Sequence, residues 1–193
     1  MSKQETNSDR VRDVIVIGAG PAGLAAAIAA HKASLDCETV ERRTLVHSIL
    51  NFPTNMVFFT TPELLELGEL PFVTPYAKPT RDEALRYYRR VVDTYDLTVK
   101  LGYEVVAVRP QNGHGGASQL AVDISHPEHG QDSLMSKTVV VAVGAYECPN
   151  LLNVPGEDLP HVSHYYTEAH PYYRKQVIVV GGKNSAAEAA LEL

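Results

Sequence analysis

One stretch dominates what this chain can fold into: Val14-Ile15-Val16-Ile17, then Gly18-Ala19-Gly20-Pro21-Ala22-Gly23, an alanine-rich run, and Glu38-Thr39-Val40-Glu41. The first apolar run, bounded by glycine, predicts a strand buried on both faces of a parallel sheet. A helix from Ala22 to about Ala33 follows, long enough for the right-handed crossover that returns the chain to a second parallel strand over 38 to 41. The glycines match G-x-G-x-x-G in the context that the pattern needs: a strand before, a helix after and an acid at the end of the next strand. Gly18 allows the tight turn, Gly20 lets a pyrophosphate approach the backbone, and Gly23 lets the helix lie close to the strand. Pro21 and Ala22 open the helix, whose free amides face the phosphates. Glu41 is placed to accept hydrogen bonds from an adenosine ribose and to repel a 2′-phosphate, which favours FAD or NAD over NADP at this site.

Lys and Arg number 17 against 23 Asp and Glu, a formal charge of −6 that argues against a nucleic-acid surface. Basic residues do gather at Arg42, Arg43, Arg81, Arg86, Arg89 and Arg90, which read first as a solvated helix face and second as a site for an anionic ligand. The polar start MSKQETNSDR shows no export signal, and the apolar run Leu24 to Ala30 is too short to span a bilayer. Cys37 and Cys148 form neither a disulfide framework nor a zinc spacing, so a cytoplasmic location is expected.

Further along, the segment from Thr44 to Thr61 has aromatic and amide residues, few charges and little periodicity, and is expected to cover a ligand. Thr61-Pro62-Glu63 predicts a short helix capped by Thr61 and ended by Gly68 in the left-handed conformation. Thr80 and Glu83 form a capping box for a helix over 81 to 95, with Ala84, Leu85, Tyr88, Val91, Val92 and Tyr95 on the face expected to pack on a sheet. Strands are predicted over 103 to 109, 119 to 124 and 136 to 143, as a meander inserted into an α/β domain. Pro149, Pro155, Pro160 and Pro171 mark a domain boundary, and Val177 to Val180 predicts another buried strand. The chain stops inside the helical pattern AAEAALEL, so a truncated protein is expected, because a lone strand and helix cannot bury their apolar faces.

Two glycine sites occur in order, and this resembles the two-dinucleotide-binding flavoproteins, in which an N-terminal GxGPxG site takes FAD and a later site takes nicotinamide. The later site here is Gly181-Gly182-Lys183-Asn184-Ser185-Ala186, with Lys183 where a third glycine is usual. Val139 to Gly144 looks like the strand and ATG-type turn of these proteins, with Val143 replacing threonine, and Asn153-Val154-Pro155-Gly156-Glu157 resembles their interdomain element. Over residues 11 to 193 the chain looks most like the bacillithiol-disulfide reductases, NADPH-dependent FAD proteins of the thioredoxin-reductase type. LVHSI, NFPTNM, FFTTPELLE, KPTR, YYRR, LLNVPGEDLPHVSHYY, EAHPYY and GGKNSA carry the likeness.

The resemblance implies an α/β architecture: a Rossmann-like FAD-binding domain over 11 to 150 with a parallel sheet and inserted meander, a linker over 151 to 172, and the start of a Rossmann-like NAD(P)H domain over 173 to 193. Residues 1 to 10 are expected to be disordered. It further implies that Gly18, Gly20, Pro21, Ala22, Gly23, Glu41, Arg42, Asn51, Val105 and Gly144 serve FAD. Gly181, Gly182, Lys183, Asn184, Ser185 and Ala186 would then serve NADPH, with NADH not excluded. The implied reaction passes hydride from NADPH to FAD and on to a small-molecule disulfide, and the full-length form could self-associate.

A redox dithiol needs two cysteines close enough to bridge, and neither C-x-x-C nor C-x4-C is present. Many members of the resembled family carry a cysteine in the glycine loop, and here Ala22 stands at that position, so catalysis is expected to be centred on the flavin. Cys37 reads as a small buried side chain. Cys148, after the turn, and His164, in the SHYY element, are the weak catalytic candidates, with His161 beside the latter. His114, His126 and His129 lack a fourth ligand, so no metal site is expected. Two other readings compete: a flavin-dependent monooxygenase, whose members also pair two glycine sites with a serine-histidine step such as Ser163-His164, and a catalytically incomplete flavin-binding fragment.

Overall fold

The structure is a computed structural model that describes residues 10–112 and 118–193. The disorder expected for the N-terminus falls, save for Arg10, outside the described residues, as do His114 and most of the NGHGG turn.

Six strands form one mixed sheet. Strands β1 (Val11–Ile17), β2 (Cys37–Glu41), β3 (Val99–Leu101), β4 (Glu104–Asn112), β5 (Ser118–His126) and β6 (Gly130–Val141) lie in the order β3-β2-β1-β6-β5-β4. The strands from β3 to β6 in that order are parallel, as the sequence pattern requires. The expected meander is β4-β5-β6, and it is continuous with the parallel sheet because β6 does two jobs. Its first half pairs antiparallel with β5, from His126 opposite Gly130 to Leu120 opposite Ser136. Its second half runs parallel to β1, with Val11 opposite Met135 and Ile17 opposite Val141. One long strand thus welds the hairpins to the parallel sheet.

Side chains alternate across β1 as the pleat demands. Ile15 and Ile17 pack with Val40, Val122, Ile124 and Leu134 on one face. On the other, Val16 lies beneath helix α1 (Pro21–Lys32), which buries Gly23, Leu24, Ala27, Ile28 and Ala30.

Helix α3 (Arg81–Thr94) has the expected reciprocal cap: Glu83 donates its amide to Thr80 Oγ1 at 3.3 Å, and Thr80 donates its own to Glu83 Oε2 at 2.8 Å. Its buried face is Ala84, Tyr87, Tyr88 and Val91, and it packs mainly on helices rather than on the sheet as expected. Its neighbours there are Leu24 and Ile28 of α1, Val46, Ile49 of the short helix α2 (His47–Leu50), and Leu70 and Phe72. The tyrosines explain the difference. Tyr87 stacks on Phe72 with ring centroids 4.4 Å apart and donates its hydroxyl to Leu70 O at 2.9 Å, so the helix faces the intervening loop.

Two local expectations are corrected. The turn at 62 to 64 is a single 3-10 turn (Pro62–Leu64) that Thr61 does not cap through its side chain, and it ends at Leu65. Gly68, at φ +66°, instead serves the tight turn between the bridged Leu67 and Leu70, where Tyr95 Oη stands against it. Residues 177 to 180 form no strand, and Ile178 and Val180 are exposed, because no neighbouring strand lies beside them. Helix α4 (Asn184–Glu192) follows and buries only Ala189.

Candidate dinucleotide site

The carboxyl ends of β1, β2 and β6 meet at the glycine loop. Gly18 donates its amide to Val40 O and Ala142 donates to Ile17 O, both at 2.8 Å, so the three strand ends are stitched together. This is the edge where open α/β sheets bind ligands, between strands whose connections leave in opposite directions.

The three glycines are not equivalent. Gly18 sits at φ +103°, and a Cβ there would stand 2.5 Å from Ala142 O. A Cβ on Gly23 would stand 1.9 Å from Gly18 O, so the helix touches the turn backbone itself. Gly20, the residue before α1, has φ −78°, and a Cβ there would meet nothing within 4 Å. Packing explains Gly18 and Gly23 and leaves Gly20 facing open space, the cradle that a pyrophosphate would fill. Pro21, at the first helical position, lacks the amide that a helix start leaves unbonded anyway.

Both polar backbone groups of Ala19 are bonded. Its amide donates to Glu41 Oε2 at 2.9 Å, and its carbonyl accepts from Val46 N at 3.0 Å. Val46 adopts φ 47° and ψ 44°, which a β-branched residue does only when its surroundings hold it. Here a buried side chain and the bond to Ala19 do so. Glu41 Oε1 also accepts the Arg43 amide at 2.9 Å, so the carboxylate is fixed by two amides while retaining further lone pairs.

Of the basic residues, Arg42 pairs with Glu147 and stands 3.5 Å from Glu104, and Arg81 donates to the carbonyl of Leu50 at 2.6 Å. Arg86, Arg89 and Arg90 are exposed on α3, so the solvated-face expectation holds for those three alone. Asn51 follows α2, donating Nδ2–H to His47 O at 3.1 Å, and its own carbonyl accepts the Tyr146 hydroxyl at 3.0 Å. Val105 lies on β4 beside a register shift, half-buried against the sheet core. Gly144 turns the chain after β6 at φ +69°.

A second concavity, a cleft of about 480 Å³, lies between the loop after α2, residues 164 to 166 and α4. Phe52, Met56, Tyr146, His164, Tyr166 and Ser185 are among its walls. The structure therefore brings His164 and the nicotinamide-type motif to one cleft beside the NFP element, while Gly18, Gly20 and Glu41 lie outside its walls. Burial, and then the Glu192 carboxylate, push the Tyr166 phenol up to about 12, so it remains a proton donor near neutral pH. Gly181 (φ +139°), Gly182 and Lys183 lead into α4, and Lys183 O accepts the Ala186 amide at 3.1 Å. Asn184 and Ser185 form its first turn.

His164 is held by Glu157: its Nε2 lies 3.1 Å from Glu157 Oε1. Glu157 also accepts the amides of Leu152 at 2.9 Å and Asn153 at 2.6 Å, which together with His164 hold its carboxyl below the usual range. Cys148 is exposed at the turn after β6. Cys37 is half-buried, and burial followed by Asp36 and Glu38 pushes its thiol up, consistent with a packing role.

Sequence reasoning missed Tyr146, Glu147 and Glu157 as anchors. Tyr146 packs its ring edge-on to Phe52 at 4.9 Å, and Tyr165 donates to Tyr146 O at 2.5 Å. Only the pairing of AYEC with the segment after β2 could have marked Tyr146 and Glu147, and those segments lie far apart in the chain.

The doubly bonded strand ends, the open Gly20 and the aimed Glu41 define a Rossmann-type dinucleotide-binding protein. The chain belongs to the pyridine nucleotide-disulphide oxidoreductase family, which it matches over residues 15–193. It is 41% identical over 180 residues to the bacilliredoxin reductase Bdr of Bacillus subtilis, covering 93% of this chain and 52% of that one. A solved bacillithiol disulfide reductase from Bacillus cereus superposes with a TM-score of 0.88 at 40% identity, covering 95% of this chain and 55% of that one. A flavin monooxygenase from Stenotrophomonas maltophilia, at 22% identity and TM-score 0.78 over 94% of this chain and 54% of that one, shares the fold. The chain spans about half the length of the curated relatives it matches.

Proposed function

We propose that this chain is the flavin-binding part of an FAD-dependent pyridine-nucleotide oxidoreductase that uses NADPH to reduce a low-molecular-weight disulfide, with bacillithiol disulfide as the substrate class. The supporting observation is the glycine loop: Gly20 opens onto free space while Gly18 and Gly23 are consumed by packing, and the Glu41 carboxylate is held beside the loop by the Ala19 amide. The names of the two reductase relatives point the same way. FAD, when bound, supplies the two-electron chemistry between nicotinamide and disulfide.

In this reading the chain's own groups do the positioning. The α1 amides and Gly20 hold the pyrophosphate, and Glu41 holds the adenosine ribose. Arg42, Asn51, Val105 and Gly144 border the same cofactor. Gly181, Gly182, Lys183, Asn184, Ser185 and Ala186 open the nicotinamide site, Lys183 adding a cation. Residues 11 to 150 form the FAD-binding domain, 151 to 172 the linker and 173 to 193 the start of the NADPH domain. With Ala22 in the loop and no dithiol in the chain, reduction is centred on the flavin, and His164 borders the cleft that the disulfide would enter. The protein acts in the cytoplasm; among the described residues no helix is long and apolar enough to cross a membrane.

The test is anaerobic NADPH oxidation by the purified flavoprotein. A rate that rises with bacillithiol disulfide supports the proposal, and one indifferent to every disulfide sinks it. Strict oxygen dependence with hydroxylated product would instead indicate a monooxygenase.

A further inference from the structure

Glu41-Arg42-Arg43 carries two opposed signals for the ribose end of a dinucleotide. A carboxylate at the end of the second strand hydrogen-bonds a free 2′-hydroxyl, whereas an arginine nearby accommodates a 2′-phosphate. The tripeptide satisfies both descriptions, and only the fold tells them apart.

The deciding residue lies 105 positions downstream. Glu147, in the turn after β6, pairs through Oε2 with Arg42 Nη2, while its Oε1 stands 3.6 Å from Arg43 Nε and 3.6 Å from His47 Nε2. The remaining terminal nitrogen of Arg42 stands 3.5 Å from Glu104 Oε1. The turn is buttressed, since the preceding Tyr146 bonds the Asn51 carbonyl and packs on Phe52. Both arginines of the loop are therefore already engaged by carboxylates.

We infer that Glu147 is a specificity-determining residue: it draws Arg42 and Arg43 away from a 2′-phosphate, so that the first site selects a dinucleotide with free ribose hydroxyls. The inference rests on the reading of the glycine loop as the FAD site. A 2′-phosphate would meet Glu41 directly, with Glu147 and Glu104 holding the nearby cations. Free hydroxyls suit Glu41, which accepts two amides and keeps further lone pairs. Stabilising the fold is a poor explanation for the cluster. Arg42 and Arg43 are 47% and 53% exposed, and pairs so open to water contribute little to stability.

The experiment follows FAD release from the FAD-loaded chain, by the rise in flavin fluorescence, on titration with ADP and with adenosine 2′,5′-bisphosphate. Because flavin release is the readout, binding of either probe at the Gly181 site does not register. Wild-type protein is expected to require at least about ten-fold more of the 2′-phosphorylated probe than of ADP. Glu147→Gln narrows that ratio at least about five-fold, Glu147→Ser does the same if the first variant fails to fold, and adding Arg42→Ala to either restores the wild-type ratio. An unchanged ratio in a folded, FAD-binding Glu147 variant overturns the inference while leaving the FAD site intact. Wild-type chain that holds no FAD overturns the reading beneath it, and the inference with it.

Discussion

The Glu41 carboxylate, at the end of β2, accepts the backbone amide of Ala19 in the glycine loop at 2.9 Å. Ala19 is fully buried, so the bond satisfies a donor that water cannot reach. Glu41→Ala is expected to cost roughly 1–3 kcal/mol in stability by orphaning that amide. Glu41→Gln, which retains an acceptor, should cost less. Both should weaken FAD binding, and thermal unfolding with and without FAD separates the two effects. An unchanged melting temperature for Glu41→Ala would show that the bond does not hold the loop.

Gly20→Ala and Gly23→Ala should behave oppositely. At Gly20 the backbone is ordinary and the space open, so alanine should change stability by no more than about 0.5 kcal/mol. Its methyl group would occupy the face offered to pyrophosphate, and FAD affinity should fall about ten-fold or more. Gly23→Ala drives a methyl into Gly18 O and should destabilise the protein by roughly 1–3 kcal/mol or more before any ligand is added. Chemical denaturation and flavin titration of both variants check this. Equal FAD affinity in Gly20→Ala and wild type would argue against a pyrophosphate there.

Beneath the site, Arg12 and Glu38 form an ion pair between β1 and β2, with side chains 2% and 9% exposed, and Lys100 lies 3.8 Å from the second Glu38 oxygen. Removing Glu38 takes from the buried Arg12 its ion-pair partner on β2. Glu38→Ala should cost roughly 3–5 kcal/mol, and an apolar replacement of both partners, such as Arg12→Met with Glu38→Leu, should recover much of that loss. Urea unfolding of the three variants is the measurement.

Glu157 ties the Leu152–Asn153 backbone to His164, and its carboxyl is held below the ordinary value of 4.5 by the Leu152 amide first and His164 next. A depressed carboxyl contributes stability that is complete above its unfolded value and lost as pH falls through the lower folded value. The segment from Leu152 to His164 should therefore stay ordered down to about pH 4.5 and loosen below it. Hydrogen exchange at the Leu152 and Asn153 amides should accelerate there beyond its intrinsic pH trend. Glu157→Gln should remove that transition, whereas its persistence would assign the transition to another group.

The two thiols should differ in reactivity. Cys148 is exposed, while Cys37 is half-buried with its thiol pushed up, so a disulfide reagent near neutral pH should modify one thiol per chain quickly and the second slowly. Cys148→Ser should remove the fast phase. Loss of the slow phase instead would reverse the assignment.

Much of the site was legible because its signals are local. The steric demands of the turn after β1, the fixed φ of the proline at the helix start and the hydrogen bonds of the Thr80–Glu83 cap each act within a few residues, so pattern and structure coincide. Val177 to Val180 shows the limit. Four apolar residues in a row describe a buried strand only when strands lie on both sides, and here none does. The helix over 81 to 94 was likewise readable as a helix, but not what it packs on, since the stacking of Tyr87 on Phe72 depends on where the loop returns.

By itself the sequence determined the first βαβ unit, the Thr80–Glu83 capping box and the order of the two glycine motifs, because steric and hydrogen-bonding rules act over a few neighbouring residues. The tertiary structure alone decided that β6 is parallel to β1 along one half and antiparallel to β5 along the other, and that Glu157 orients His164. It alone decided, too, that Glu147 faces Arg42 and Arg43. Those pairings join residues as far as 124 positions apart, and an interaction that falls off over a few ångströms exists only once the sheet has brought its partners together.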